Sequence, residues 1–250
     1  MVNWRIRPIV RGEILGEKSE LLAFQDAGAK LWVPSLVWYL TDATHHVLVD
    51  TGFPDPSAHE TAMAGYSVRS TGSLKQILEQ AACPVGAVEA IVFTHLHWDH
   101  CENLALFPGA RLLVQREEMA YAIAPLDFDA ESYNSPAAGR TPGWLGRRFS
   151  FLDGEAEILP GLEVLPTPGH TPGHQSVLVT TRGGTYGIAG DLLPTFANMH
   201  HPRSGGFHPP ACLDYRSWWT SVQALARRCD TLLPSHDPTL QPTWIPAESS

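Results

Sequence analysis

Charge is scarce in this chain, and what there is does not cluster. Asp, Glu, Lys and Arg make up only 17% of the residues, the formal net charge is −9, and Lys and Arg form no run. Proteins that grip a nucleic-acid backbone or an anionic membrane concentrate cations, so neither is expected as a partner. Cysteine is scarce too: Cys83, Cys101, Cys212 and Cys229 stand apart without a CxxC pair. That argues against a disulfide framework and against a structural zinc knuckle. No stretch comes near the roughly 18 uninterrupted apolar residues of a membrane span. The opening MVNWRIRPIV alternates polar and apolar positions with charge among them, which reads as an edge strand rather than the apolar core of a signal peptide. The expected location is therefore the cytoplasm. A fixed-period repeat and a low-complexity tract are both lacking.

Apolar material is plentiful, at 44% of 250 residues, enough for one domain with a sizeable core across residues 1–250. SLVWYL and HHVLVD, separated by the polar TDAT, predict a hairpin whose second strand ends at Asp50. SLKQILEQA places Leu74, Ile77, Leu78 and Ala81 at helical spacing behind Ser73, a residue suited to cap the helix. Strands are expected at AIVFT, RLLV, FSFLD, LEVLP, SVLVT, TYGIAG and TLLP, and helices at REEMAYAIA and YRSWWTSVQALARR. Strands and helices alternate in both halves, the pattern of sheets covered by helices, an α/β or α+β class. Two irregular segments, 125–146 and 192–210, mix Pro, Gly and Ser with aromatics and suit pocket walls better than plain linkers.

The histidines are distributed unevenly. His45 and His46 lie at the predicted hairpin turn, where a structural role suffices. In IVFTHLHWDHCEN, however, a strand ending at Thr94 delivers His95, His97, Asp99 and His100 together into a loop and the start of a helix. Imidazole and carboxylate donors at that density suit Zn²⁺, Mn²⁺, Fe²⁺ or Co²⁺. Further on, PTPGHTPGHQS carries His170, GIAGDLLP carries Asp191 and LLPSHDP carries His236, each near the end of a predicted strand. Such positions gather at one edge of a layered α/β structure.

The HxHxDH motif followed in order by His170, Asp191 and His236 resembles the metallo-β-lactamase superfamily over most of the chain from Asp50 to Pro238. VQREEMAYA, TPGHTPGHQS and SHDP are most similar to its N-acyl homoserine lactonase branch. The resemblance implies a four-layer αββα sandwich with two divalent metal ions, Zn²⁺ first among them, at one edge of the paired sheets. His95, His97 and His170 would bind one ion, Asp99, His100 and His236 the other, and Asp191 would bridge them. Two divalent cations against two carboxylates leave a positive surplus, which suits a carbonyl oxygen developing negative charge. The implied activity is that of a quorum-quenching lactonase: a metal-bridging hydroxide, available at neutral pH, opens a lactone ring while Asp99 serves as general acid.

Alternatives within the superfamily are a thioesterase of the glyoxalase II type or another ester hydrolase. Diiron oxygen-reducing members carry Glu where this chain has His97, and the chain after Asp191 lacks the basic cluster that would hold a glutathione carboxylate. A reading of another class is a non-catalytic metal-binding scaffold, against which the complete ligand set argues. Asp50 is expected to orient a ligand histidine, as well as capping its turn, and His174 to support the ligand loop. Lactonases of this branch often carry a tyrosine three residues after the bridging aspartate, where this chain has Pro194. Another donor is then expected from Tyr133, Asn198, His200 or His201, with the aromatics Phe128, Trp144, Phe196 and Phe207 and also Tyr133 lining an apolar pocket. The expected partner is a small-molecule lactone or ester, and a homodimer is left open.

Overall fold

The structure, a computed structural model, describes residues 3–55, 66–70, 72–201 and 206–246. Two sheets stack face to face. The larger has the order β4-β1-β2-β3-β5-β6-β7, built from β1 (Arg5–Glu17), β2 (Lys30–Thr41), β3 (His46–Val49), β4 (Ser67–Arg69), β5 (Ala90–Val92), β6 (Arg111–Gln115) and β7 (Phe149–Leu152). The smaller has the order β12-β11-β10-β9-β8, from β8 (Ala156–Leu159), β9 (Leu162–Pro166), β10 (Gln175–Thr181), β11 (Gly184–Ile188) and β12 (Thr231–Leu233). Short α1 (Lys18–Leu21) follows β1, while α2 (Leu74–Gln80) and α3 (Arg116–Ile123) belong to the first half of the chain and α4 (Tyr215–Arg228) to the second.

Side-chain alternation explains the layering. Along β2, Leu36, Trp38 and Leu40 point between the sheets, where they meet Val164, Val177, Val179 and Ile188 of the smaller sheet. Val37 and Tyr39 point the other way and pack with Leu74 and Leu78 of α2 and Met119 and Ala122 of α3. On the far side, Leu165 and Leu178 pack under Trp218, Val222 and Leu225 of α4. A period of two in the strands and of about 3.6 in the helices thus yields helix, sheet, sheet and helix, each apolar face covered.

Most predicted elements are found in place. The TDAT hairpin pairs β2 with β3, Ser73 caps α2 by accepting from the Gln76 amide, and α4 coincides with the predicted helix. Trp218 of α4 is buried and Trp219 half-exposed. Three readings are corrected. The expected edge strand runs on to Glu17 and is flanked, by β4 at Glu13–Leu15 and by a bridge from Ile245 to Ile6. β8, a four-residue strand paired with β9, had no counterpart among the expected elements. The helix expected to begin after Thr94 does not form. Residues 98–100 make a turn, with the His100 amide bonded to the His97 carbonyl at 3.0 Å. Cys101 then pairs with Gly52, and Asn103 takes a left-handed φ of 63°. Amides that a helix would use internally are drawn to β3's extension instead: the Glu102 amide donates to the Gly52 carbonyl at 3.2 Å.

β3 and β5 run parallel, as do β11 and β12, and β9 shares β11's direction because both pair antiparallel with β10. The chain segments leaving β3, β5, β9, β11 and β12 therefore all emerge at C-terminal strand ends. The edges of the two sheets are tied there: the Gln175 amide donates to the Thr94 carbonyl at 2.9 Å, and Gln175 Nε2 to the Phe93 carbonyl at 2.7 Å.

Candidate metal centre

Seven side chains converge where those strands end. His95, His97 and His170 form one group with potential ligand atoms within 4.8 Å of one another; Asp99, His100 and His236 form a second; Asp191 groups with His95 and His100. Asp191 lies between the two sets. Its Oδ2 is 3.5 Å from His170 Nε2 and 3.9 Å from His95 Nε2, whereas its Oδ1 is 3.1 Å from His236 Nε2 and 3.4 Å from His100 Nε2. Asp99 Oδ2 is 3.5 Å from His100 Nε2 and 3.6 Å from His236 Nε2.

Each ring is aimed by what its other nitrogen touches. His100 Nδ1 donates to Asp50 Oδ2 at 2.8 Å, His236 Nδ1 to the Pro34 carbonyl at 2.7 Å and His170 Nδ1 to the Ala211 carbonyl at 3.1 Å. Thr94 Oγ1 donates to Asp50 Oδ2 at 2.8 Å and lies 3.0 Å from His95 Nδ1, for which it is the acceptor. These contacts assign the proton to Nδ1 of four rings and leave Nε2 free to meet a cation. His97 is turned over, with Nδ1 3.1 Å from His170 Nε2. Asp50 thus anchors both His100 and the Thr94 turn while itself in a left-handed conformation with φ 59°. Gly190, at φ +57°, brings Asp191 in closely; a Cβ there would stand 2.7 Å from His174 Nε2.

The electrostatics are divided. Burial and the neighbouring imidazoles push His95 and His97 well below the usual histidine range, keeping them neutral as ligands must be. At His100 and His236 burial also acts downward, but Asp99 and Asp191 outweigh it and raise both. Burial would raise the Asp191 carboxyl, yet His236 and His100 hold it well below the usual range. His95 Nε2 and His100 Nε2 are buried without a hydrogen-bond partner among the described residues. Such an atom costs about 1–3 kcal/mol when left unmet, and a cation between the imidazoles removes that cost. With nitrogen and carboxylate donors and no thiolate among them, the set fits divalent ions.

Several supporting residues escaped the sequence reading. Glu118 is buried on α3, and its Oε1 accepts from the Leu96 amide and from Tyr133 Oη, both at 2.9 Å, while Oε2 accepts from Thr171 Oγ1 at 2.6 Å. One carboxylate therefore ties the His95–His100 turn to the His170 turn. Burial pushes its pKa up despite those donors. A Cβ at Gly173 would come 2.0 Å from the Glu118 amide, so glycine is required for that approach. Ser235 Oγ donates to Asp191 Oδ1 at 2.6 Å. The only sequence signal for Glu118 was a carboxylate on the helix face shared with Met119 and Ala122.

The cluster floors a cavity of about 310 Å³. His97, Asp99, His170, Asp191 and His236 line it below, and Ile14, Leu21, Val33, Trp98, Phe128 and Leu213 give apolar walls. Glu20, Tyr66 and Asp129 add polar groups, and no Lys or Arg is among the described residues that line it. Tyr66 Oη donates to Glu20 Oε1 at 3.1 Å.

The residues expected to line a pocket divide sharply. Phe128 does line it and is 75% exposed. The others are not among its lining residues. Tyr133 is buried with its hydroxyl on Glu118 and its ring edge-on to His97 at 4.7 Å. Trp144 is packed into the core under α2 and α3. Asn198 is buried, donating to the Leu21 carbonyl at 2.7 Å and the His208 carbonyl at 3.0 Å. Phe207 packs against the core under α4, Phe196 is half-buried beside Asp237, His200 is exposed, and His201 stacks on His208 at 5.0 Å. In each buried case the side chain gains more from core contact or saturated hydrogen bonds than from facing the cavity. His174 is buried with Nδ1 2.9 Å from Thr167 Oγ1, and burial together with His170 pushes it down to about 3. Cys101 is a packed thiol donating to the Leu96 carbonyl.

Comparison with known proteins agrees with this geometry. Residues 31–236 match the model of the metallo-beta-lactamase superfamily. The N-acyl homoserine lactonase AttM of Azorhizobium caulinodans is 26% identical over 98% of this chain and 97% of its own length. An N-acyl homoserine lactonase of Bacillus cereus is 25% identical over 68% of each chain. Among solved structures, an N-acyl homoserine lactone hydrolase with N-hexanoyl-L-homoserine at its catalytic metal center superposes with a TM-score of 0.78 at 23% identity, covering 95% of both chains. With four layers, two sheets and a His/Asp cluster at their shared edge, and a family match over most of its length, this chain belongs to the metallo-beta-lactamase superfamily.

Proposed function

We propose that the protein is a dinuclear metal-dependent hydrolase that opens an uncharged lactone. The observation that carries this reading is the cavity: a His/Asp cluster at its floor, apolar walls, and no Lys or Arg among the described residues that line it. His95, His97 and His170 would hold one divalent ion, Asp99, His100 and His236 the other, and Asp191 both, since its two oxygens face the two sets separately. Ions held there supply an acidified water and a Lewis acid for the carbonyl, so no serine or cysteine nucleophile is required.

The protein's own groups do the rest. Asp99, a lining residue, is placed to carry a proton to the departing alkoxide through its carboxylate. Trp98, Leu213 and Phe128 enclose the apolar part of a substrate and exclude water around the reacting ester. Asp50, Thr94 and Glu118 hold the imidazoles in register. Carboxylate-bearing thioesters and phosphodiesters fit less well, because Glu20 and Asp129 would repel them and no Lys or Arg among the described lining residues would hold them. The names of the lactonase relatives support the same substrate class. The reading is tested by stripping the protein with a chelator, restoring Zn²⁺, Mn²⁺ or Co²⁺, and following lactone opening by acid release. Activity lost on chelation and regained at two equivalents of metal is the expected result; hydrolysis indifferent to chelation would end the proposal.

A further inference from the structure

Four of the five cluster imidazoles are anchored at the nitrogen that faces away from the other ligands. His95 is anchored by Thr94, His100 by Asp50, His170 by Ala211 and His236 by Pro34. His97 differs. Its Nδ1 faces His170 Nε2, and its Nε2 is buried with no hydrogen-bond partner among the described residues. Asp129 Oδ1 lies 3.8 Å from that nitrogen.

Asp129 is built to face it. Its Oδ2 accepts from Tyr121 Oη at 3.2 Å, its amide donates to the Leu126 carbonyl at 2.9 Å, and its carbonyl accepts from the Ser132 amide at 3.1 Å. Ser132 in turn accepts from the Trp98 amide at 2.8 Å, so this stretch is tied to the residue directly after His97. The side chain is buried, and Oδ1 is left for His97. His97 is wedged edge-on between Tyr133 and His170 at 4.7 and 4.9 Å, which fixes the ring plane. Closing the gap to hydrogen-bond length takes a shift of roughly 1 Å.

We propose that Asp129 is the positioning residue for His97: its Oδ1 accepts the Nε2 proton when Nδ1 binds a cation, fixing the tautomer and raising the ligand's basicity. The proposal rests on the metal reading above. It gives segment 125–146 a second task, because the residue after Phe128 braces a ligand while Phe128 walls the cavity. The anchor comes from a loop rather than from a strand end.

The test uses Co²⁺-substituted full-length protein. Proton NMR should show one exchangeable, hyperfine-shifted signal from His97 Nε2–H beside those of the four Nδ1–H groups, and chelator competition gives the affinity of each ion. In Asp129→Ala the His97 signal should be lost to solvent exchange while the other four persist, and affinity at the three-imidazole site should fall about 10–100-fold. Asp129→Asn, equal in shape, should give a smaller loss in the same direction, and it serves alone if the alanine variant does not fold. Wild-type protein that binds two ions, with His97 exchange and affinity unaltered in the variant, would overturn this inference and leave the metal reading standing. Wild-type protein that fails to bind two ions would overturn both.

Discussion

Segments 125–146 and 192–210 share a mixture of Pro, Gly and aromatic residues but differ in role. The first turns Phe128, Asp129 and Ser132 onto the cavity and sends two further polar groups to the ligand turn, Tyr133 to Glu118 and Asn134 to Glu102. The second contributes Pro194 and Pro210 to the cavity, while Asn198, a capping-box partner of Thr195, fastens it to Leu21 and His208. His208 Nε2 donates to the Ala23 carbonyl at 2.9 Å. One loop is a wall and the other a brace between the site edge and the chain after α1. Proline, glycine and aromatic content marks both as irregular but says nothing about which way their side chains turn.

Substitutions should separate the wall, the brace and the floor they flank. The largest effect belongs to the floor. Asp99→Asn keeps its shape but cannot protonate a leaving group, so turnover should drop by about 10²-fold or more. The drop should be greater for poor leaving groups; equal losses for activated and unactivated esters would reduce Asp99 to a ligand. The brace comes second. Asn198→Ala leaves one buried and one part-buried carbonyl without this donor, and stability should fall by about 1–3 kcal/mol in denaturant titrations, with turnover of the folded fraction within about twofold of wild type. A large turnover loss at unchanged stability would make Asn198 part of the site.

The wall should behave in the reverse way. Phe128→Ala removes an exposed ring, so stability should shift by no more than about 0.5 kcal/mol, while KM for substrates with a long apolar substituent should rise about tenfold. An unchanged KM would remove Phe128 from the wall. The smallest effect lies away from both segments, at the β2–β3 turn. Burial works against ionisation of Asp42, but hydrogen bonds from His45 and the Thr44 amide outweigh it and hold the carboxyl at about 2, and the same contact raises His45. The carboxylate's contribution is lost as pH falls through about 2, and the histidine's is lost as pH rises through its raised value. The stability gap between wild type and Asp42→Asn should therefore be widest between about pH 4 and 6.5, at no more than about 1 kcal/mol because the pair is partly exposed. A gap that does not vary with pH would show that the pair is not ionic.

Legibility in the sequence followed how locally each feature is determined. α4 and the Ser73 cap depend on neighbours within one or two turns, and both were readable. Each of the seven clustered side chains follows a readable strand, so their sharing one edge could be anticipated from strand ends alone. The anchors could not be. Glu118 meets Thr171 and His236 meets Pro34 across 53 and 202 positions, pairings that no periodicity encodes. The expected helix after Thr94 failed for a related reason: the Glu102 amide donates to the Gly52 carbonyl and the His100 carbonyl accepts from the Thr51 amide, partners brought near only by the sheet. Tyr66 and Glu20 on the cavity wall belong to segments with no motif at all.

The central claim is that this metal cluster serves an uncharged lactone, and a direct competition tests it. Metal-reconstituted protein is offered a neutral N-acyl or alkyl lactone, a carboxylate-bearing thioester and a phosphodiester, and kcat/KM is measured for each at low ionic strength. The account predicts a preference for the neutral lactone of at least about 10²-fold, close to 3 kcal/mol of discrimination, with all activity abolished by chelation. Equal or better hydrolysis of either anionic substrate by the same metal-loaded protein would contradict it.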